Sequence, residues 1–225
     1  MTEITDHLAQ IFERVARAAK RAKRSPNSVT IVAIGKQQPA SAIAEAQLSG
    51  VAHFGESYVQ EALPKIAALA DVPITWHFVG KMQANKTRQV AETFDWVHTV
   101  DRLKIAERLS EQRSPFAKPL NVLIQVNQGG EPQKSGARTD DVAALARAIG
   151  SLPRLALRGL MTLPPQSGRP ARWFAELAAL RARLESDGIA LDSLSMGMSG
   201  DFEDAIAAGA THVRIGTAIF GSRGA

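Results

Sequence analysis

From residue 30 onward the chain repeats one unit: a short apolar run rich in β-branched residues, a loop carrying glycine or polar residues, and an amphipathic stretch. The strand-like runs cover 30–35, 52–55, 74–79, 96–100, 121–126, 157–162, 192–197 and 212–216, and helical stretches lie near 40–49, 57–69, 84–93, 102–112, 139–150, 170–186 and 201–208. Strands separated by helical crossovers imply a parallel sheet, because each crossover returns the chain to the same end. Eight such units predict a closed (β/α)8 TIM barrel, at the short end of its size range. The alternative, an open doubly wound sheet, usually carries a glycine-rich fingerprint after its first strand. The turn "GKQQP" that follows residues 30–34 is not one.

An extra N-terminal helix precedes the repeat. Residues 4–24 place Ile4, Leu8, Ile11, Phe12, Val15 and Ala19 at helical spacing. The segment Arg14 to Arg24, "RVARAAKRAKR", supplies much of the net charge of +5. Such a run suits either a nucleic-acid patch or a solvated helix whose cations favour its C-terminal end. Aromatics make up only 5% and none interleaves with these cations, as a single-strand binder requires, so no nucleic-acid partner is expected. With no cysteine, disulfides, thiolate metal sites and cysteine nucleophiles are excluded. No apolar run approaches the roughly 18 residues of a membrane span, and "MTEITDHLAQ" has no apolar signal core. A cytoplasmic protein without membrane partners is expected. "SPFAKP" at 114–119 and "PPQSGRP" at 164–170 are loops within the alternation, so residues 1–225 are expected to form one domain. "AQLSGVAHFGES" and "AIAAGATHVRIGT" echo one another, with Gly50 and Gly209 ending helices. His53 and His212 then open their strands, at the end away from any barrel active site, and are read as structural.

In a barrel of this kind chemistry sits where strands exit. Those exits are Gly35-Lys36, Gly55-Glu56-Ser57, Gly80-Lys81 with Gln83 and Asn85, Thr99 and Asp101, Asn127, Met161-Thr162, Met198-Ser199-Gly200 and Gly216-Thr217. Glycine and polar groups thus gather at one mouth. Ser199 and Gly200 stand at a helix N-terminus, where free N–H groups favour a phosphate. Gly216 permits close backbone approach, and Thr217 offers a hydroxyl. These are the exits of strands seven and eight, the usual phosphate corner of the barrel. Arg214 lies two residues before Gly216 and faces the same way. A buried arginine needs an acceptor, either a carboxylate such as Glu56 or a ligand atom. Lys36 at the first exit is either a rim lysine or an amine able to form a Schiff base. With a phosphate site, the second reading leaves a pyridoxal-phosphate protein or a sugar-phosphate aldolase.

Across nearly its whole length the chain resembles the pyridoxal-phosphate homeostasis proteins, single-domain relatives of the alanine racemase barrel. The resemblance rests on "HFGESYVQE", "WHFVGKMQANK", "HTVDRLKIAERL", "LIQVNQGGEPQKSG", "LRGLM", "GMSGDFEDAIAAG", "VRIGTAIFG" and the closing "IFGSR", in this order. It implies pyridoxal 5'-phosphate as cofactor, held by Lys36 as an aldimine. It implies phosphate contacts from Ser199, Gly216 and Thr217, Arg214 facing the pyridine nitrogen, and Ser57 and Gly200 within the same cofactor-binding set. Where the family commonly reads serine-lysine-threonine, this chain has Gly35-Lys36-Gln37; Ser57 replaces an asparagine, Lys81 a neutral residue, and Gly200 a frequent acid. The implied function is vitamin B6 homeostasis without robust turnover, with apoenzymes that need the cofactor as possible partners. A weak racemase and a Schiff-base aldolase are the alternatives. An arginine cannot accept the pyridinium proton, which weakens carbanion chemistry. The only tyrosine, Tyr58, is the one candidate second base. A monomer is expected, since every site residue comes from one chain. The loop 127–136 is expected over the mouth, with Lys134 near the site as a second amine.

Overall fold

The computed structural model describes residues 2–131, 133–165 and 169–221. Sequence readings at Pro132, at 166–168 and at the "SR" of "IFGSR" lie outside the described residues. Helix α1 (Glu3–Arg21) opens the chain, its first turn capped by the Thr2 hydroxyl, which accepts from the Thr5 N–H. Then follow β1 (Thr30–Ile34), α2 (Ala40–Leu48), β2 (His53–Glu56), α3 (Val59–Ala68), β3 (Thr75–Phe78), α4 (Thr87–Thr93), β4 (Trp96–Val100) and α5 (Leu103–Gln112). The second half runs β5 (Leu120–Val126), α6 (Val142–Gly150), β6 (Leu155–Thr162), α7 (Pro170–Ser186), β7 (Ser193–Ser195), α8 (Phe202–Ala207), β8 (His212–Ile215) and α9 (Thr217–Phe220).

The eight strands are parallel and close in sequence order, β8 pairing back onto β1. This is the expected (β/α)8 barrel with its added N-terminal helix. Boundaries differ by small amounts. The helices expected from 84 and 139 each begin with a 3-10 turn, Ala84–Lys86 and Thr139–Asp141. β7 is shorter than 192–197, and the closing "AIFG" forms α9.

Alternation divides each strand between two layers. Phe54, Trp76, Phe78, Val97, Val122, Ile124, Leu160 and Val213 point outward and pack under the helices as the main apolar core. The inward residues are largely polar, including His77, His98, Ser195 and Arg214, all buried. The main apolar core is therefore the layer between strands and helices, not the barrel interior.

α1 buries Leu8, Ile11, Val15, Ala18 and Ala19 against its neighbours α2, α8 and α9. Phe12 is left 37% exposed, on the wall of a groove. Part of the basic run is structural. Arg14 pairs with Glu203 at 2.7 Å and lies over the Phe202 ring, while Arg24 donates to the Ile206 carbonyl at 3.0 Å. Among the described residues no helix is long and apolar enough to cross a membrane.

Candidate functional site

The turn after β1 is built from behind. Lys65, on α3, is buried and donates from Nζ to three oxygens: the Gly35 carbonyl at 2.7 Å, Glu56 Oε1 at 2.8 Å and Glu61 Oε1 at 2.7 Å. Glu61 also accepts the N–H of Gln37, a residue with a left-handed φ of 62°. Gln38 N–H closes the turn on the Gly35 carbonyl at 2.9 Å. The backbone on both sides of Lys36 is thereby fixed, and the Lys36 side chain is delivered to the mouth. The clamp also explains Gly35. A Cβ there would lie 2.8 Å from Glu56 Oε1 and 3.0 Å from Ile43 Cδ1, so a serine requires one of them to move. Burial pushes the Glu56 carboxyl up to about 7, against the opposing pull of Lys65.

Lys36 Nζ lies 4.9 Å from the centre of the Tyr58 ring, a cation–π contact. Together they face a cavity of about 660 Å³ whose lining includes Ser57, Gly80, Lys81 and Lys86. Gly80 is required by close approach, since a Cβ there would fall 1.9 Å from the Ser57 carbonyl oxygen. On its other side Lys36 borders a crevice with Gly216 and Thr217. Thr217 Oγ1 donates to Ser199 Oγ at 3.2 Å, and the Ala218 N–H reaches the same oxygen at 3.4 Å, so the exits of β7 and β8 form one corner. Ser199 and Gly200 stand in the turn before α8, whose N-cap is Asp201. A Cβ on Gly200 would meet nothing within 4 Å, leaving open space at that corner.

Arg214 lies deeper, 4% exposed. It does not pair with Glu56, as one sequence reading allowed; Glu56 points outward to Lys65, on the other face of the sheet. Arg214 donates from Nη1 to Ser195 Oγ at 2.6 Å and from Nη2 to the Thr162 carbonyl at 2.8 Å. A guanidinium has five N–H donors, so donors remain for a ligand. Burial lowers its pKa from the ordinary arginine value to about 10.

Lys134 ion-pairs with Glu131 at 2.6 Å and donates to the Pro164 carbonyl at 3.3 Å. It lines a neighbouring cavity of about 170 Å³ with Lys81, Thr99 and Gln125. Thr99 Oγ1 is buried there without a hydrogen-bond partner. The arrangement suits a small phosphorylated aldehyde: an amine at the mouth, hydroxyls and a glycine at one corner, a cationic donor below, and an unpartnered hydroxyl nearby.

Sequence reasoning brought together Lys36, Ser57, Ser199, Gly200, Arg214, Gly216 and Thr217, and the structure gathers all of them around one end of the barrel. It missed Lys65 and Ser195, which support that set. The (i, i+4) spacing of Glu61 and Lys65 was the one visible signal for the clamp.

Comparison with known proteins agrees with this geometry. The family described as "Alanine racemase, N-terminal domain" matches residues 7–224. A protein of Pseudomonas aeruginosa named pyridoxal phosphate homeostasis protein is 52% identical over 223 residues, covering 99% of this chain and 97% of its own. The Escherichia coli K12 protein of the same name is 49% identical over 229 residues, with 99% and 98% covered. The structure of PipY from Synechococcus elongatus with PLP bound superposes with a TM-score of 0.84 at 37% identity, covering 97% of this chain and 100% of that one. The chain belongs to the pyridoxal phosphate homeostasis protein family, built on the alanine racemase N-terminal domain.

Proposed function

We propose that this protein binds pyridoxal 5'-phosphate and serves in vitamin B6 homeostasis, with Lys36 as the amine that holds the cofactor. The carrying observation is the Lys65 clamp, which presents Lys36 between the Tyr58 cavity and the Gly216–Thr217 crevice. When bound, the cofactor supplies an aldehyde that condenses with a primary amine. The chain's own residues do the rest. Ser199 and Thr217 offer hydroxyls, and Gly216 and Gly200 offer open backbone, to a phosphate. Ser57 lines the cavity that Lys36 faces and would sit beside the bound cofactor. Arg214 would offer its remaining donors to the pyridine nitrogen, and it has no lone pair with which to take up a proton there.

This favours a carrier over an enzyme. A racemase needs a second acid/base across the ring from the lysine. Tyr58, the only tyrosine, is stacked on Lys36 itself, on the same wall of the cavity. We further propose a monomer of the cytoplasm that passes its cofactor to apoenzymes. The test is a titration of the cofactor-free chain with pyridoxal 5'-phosphate. A visible absorbance band that survives gel filtration, and is lost in Lys36→Ala, is the expected result. A band of equal strength in Lys36→Ala contradicts the assignment.

A further inference from the structure

The inward layer of the barrel carries an unbroken hydrogen-bonded column. From Arg214 Nη1 it passes to Ser195 Oγ at 2.6 Å, and on to His98 Nδ1 at 2.9 Å. His98 Nε2 meets His77 Nδ1 at 2.9 Å, and His77 Nε2 meets His53 Nδ1 at 2.9 Å. Five strands contribute one member each: β8, β7, β4, β3 and β2. Ser195, His98 and His77 are fully buried. His53 is partly buried, on the wall of a groove of about 430 Å³ between α1 and the barrel's closed end. None of the three imidazoles belongs to the cofactor set described above.

One direction gives every member from Arg214 to His53 both its donor and its acceptor role. A guanidinium only donates. Ser195 Oγ accepts from it, so the hydroxyl's own proton is free to go to His98 Nδ1. A neutral His98 with an accepting Nδ1 carries its proton on Nε2 and donates to His77. The same reasoning makes His77 an Nε2–H donor to His53 Nδ1. All three rings must then be neutral, since a protonated imidazole has no acceptor. Burial lowers the pKa of all three, at His53 against the opposing pull of Asp95, and repulsion from the neighbouring ionisable rings, with Arg214 at His98, lowers His77 and His98 further, which suits this arrangement. The Trp96 ring stacks on His77 at 5.5 Å and restrains its tilt.

We infer that Ser195, His98, His77 and His53 are positioning residues for Arg214: the column orients the Ser195 hydroxyl so that it accepts from the guanidinium and holds it toward the cofactor ring. The inference rests on the proposed place of Arg214 against that ring. If His77 loses its acceptor, His98 can turn its proton to Nδ1 and donate to Ser195. Ser195 Oγ then accepts from both His98 and Arg214 while its own proton loses its acceptor, so the hydroxyl is free to turn and the guanidinium loses its fixed seat.

Two experiments test this. Nitrogen-15 NMR of the histidine-labelled chain reads each tautomer without any substitution. The Nε2–H form is expected at His53, His77 and His98; an Nδ1–H form at His77 or His98 overturns the column. The second is a mutant cycle read by pyridoxal 5'-phosphate titration. His77→Phe, three hydrogen bonds from Arg214, is expected to weaken binding about tenfold. His77→Gln, whose amide offers both N–H donors and a carbonyl acceptor, should recover most of that loss. In an Arg214→Ala background His77→Phe should add almost nothing, because the column acts through Arg214. Additive losses, or unaltered affinity in His77→Phe, reject the column while leaving the cofactor reading intact. Unaltered affinity in Arg214→Ala rejects both. If His77→Phe fails to fold, the tautomer measurement decides.

Discussion

Arg214 can donate hydrogen bonds and accept none, and that single property shapes the polar core around it and the role proposed for it toward the cofactor ring. Removing it should cost binding rather than fold. Losing a charged hydrogen bond to a ligand costs about 1.5–3 kcal/mol, so Arg214→Ala should bind pyridoxal 5'-phosphate about ten- to a hundredfold more weakly, with an unaltered circular dichroism spectrum. Ser199→Ala and Thr217→Ala should each weaken binding by a smaller factor. Equal affinities of Arg214→Ala and the parent chain in a fluorescence titration would show that the guanidinium faces only Ser195 and Thr162. At this scale the sequence was informative for residues set apart by local pattern. Lys36 follows an apolar strand and a glycine, and Arg214 shares strand parity with Gly216. The partners of Arg214 were not legible. Ser195 lies 19 residues before it and Thr162 52 residues before it, and only barrel closure brings them together.

At the scale of elements, the β1 exit depends on α3. Lys65 holds the Gly35 carbonyl and two carboxylates at once, and Glu56 beside it is fully buried. Removing one member of a buried pair leaves the other uncompensated, at roughly 3–5 kcal/mol. Lys65→Met should therefore lower unfolding free energy by about 3 kcal/mol in a denaturant titration, and should weaken cofactor binding because the 35–37 turn loses its anchor. A loss below about 0.5 kcal/mol, the range of ordinary surface changes, would mean that the clamp does not hold the turn. The eight-fold alternation was legible because it is local in sequence. What each strand turns inward was legible only in part: in "TWHF" a histidine sits between outward-facing apolar residues, a period-2 signal for an inward polar group, whereas in "WVHTV" the flanking Val97 and Thr99 give no such clean alternation. His77 and His98 were not singled out, and the structural reading of His53 and His212 rested instead on the echo that places both at strand starts. The structure starts β2 and β8 at these two residues, as expected, and ties His53 into the column beneath Arg214.

For the whole molecule, a barrel filled with neutral histidines should be acid-sensitive. His53, His77, His98 and His212 all have lowered pKa values, led in each case by burial, and His212 falls to about 4. The unfolded chain takes up protons near the ordinary histidine value of about 6.5 while the folded rings resist. The unfolded state thus holds more protons below that pH, and stability falls as the medium is acidified. His212 alone accounts for about 3 kcal/mol of loss by pH 4. Glu56 has the opposite sign: its raised pKa contributes stability that is complete below about 4.5 and fades as pH rises through about 7. Four rings outweigh one carboxyl, so the unfolding midpoint should drop steadily from pH 6.5 toward 4. A flat profile over that interval would mean the rings are protonated in the folded barrel.

Lys36 is the amine proposed to hold the cofactor, and every other site assignment is built around it. The direct measurement is borohydride reduction of the chain loaded with pyridoxal 5'-phosphate, followed by peptide mass mapping. The reduced cofactor's mass is predicted on the peptide containing Lys36. Its appearance instead on Lys81, Lys86 or Lys134, the other lysines at the mouth, would contradict the account.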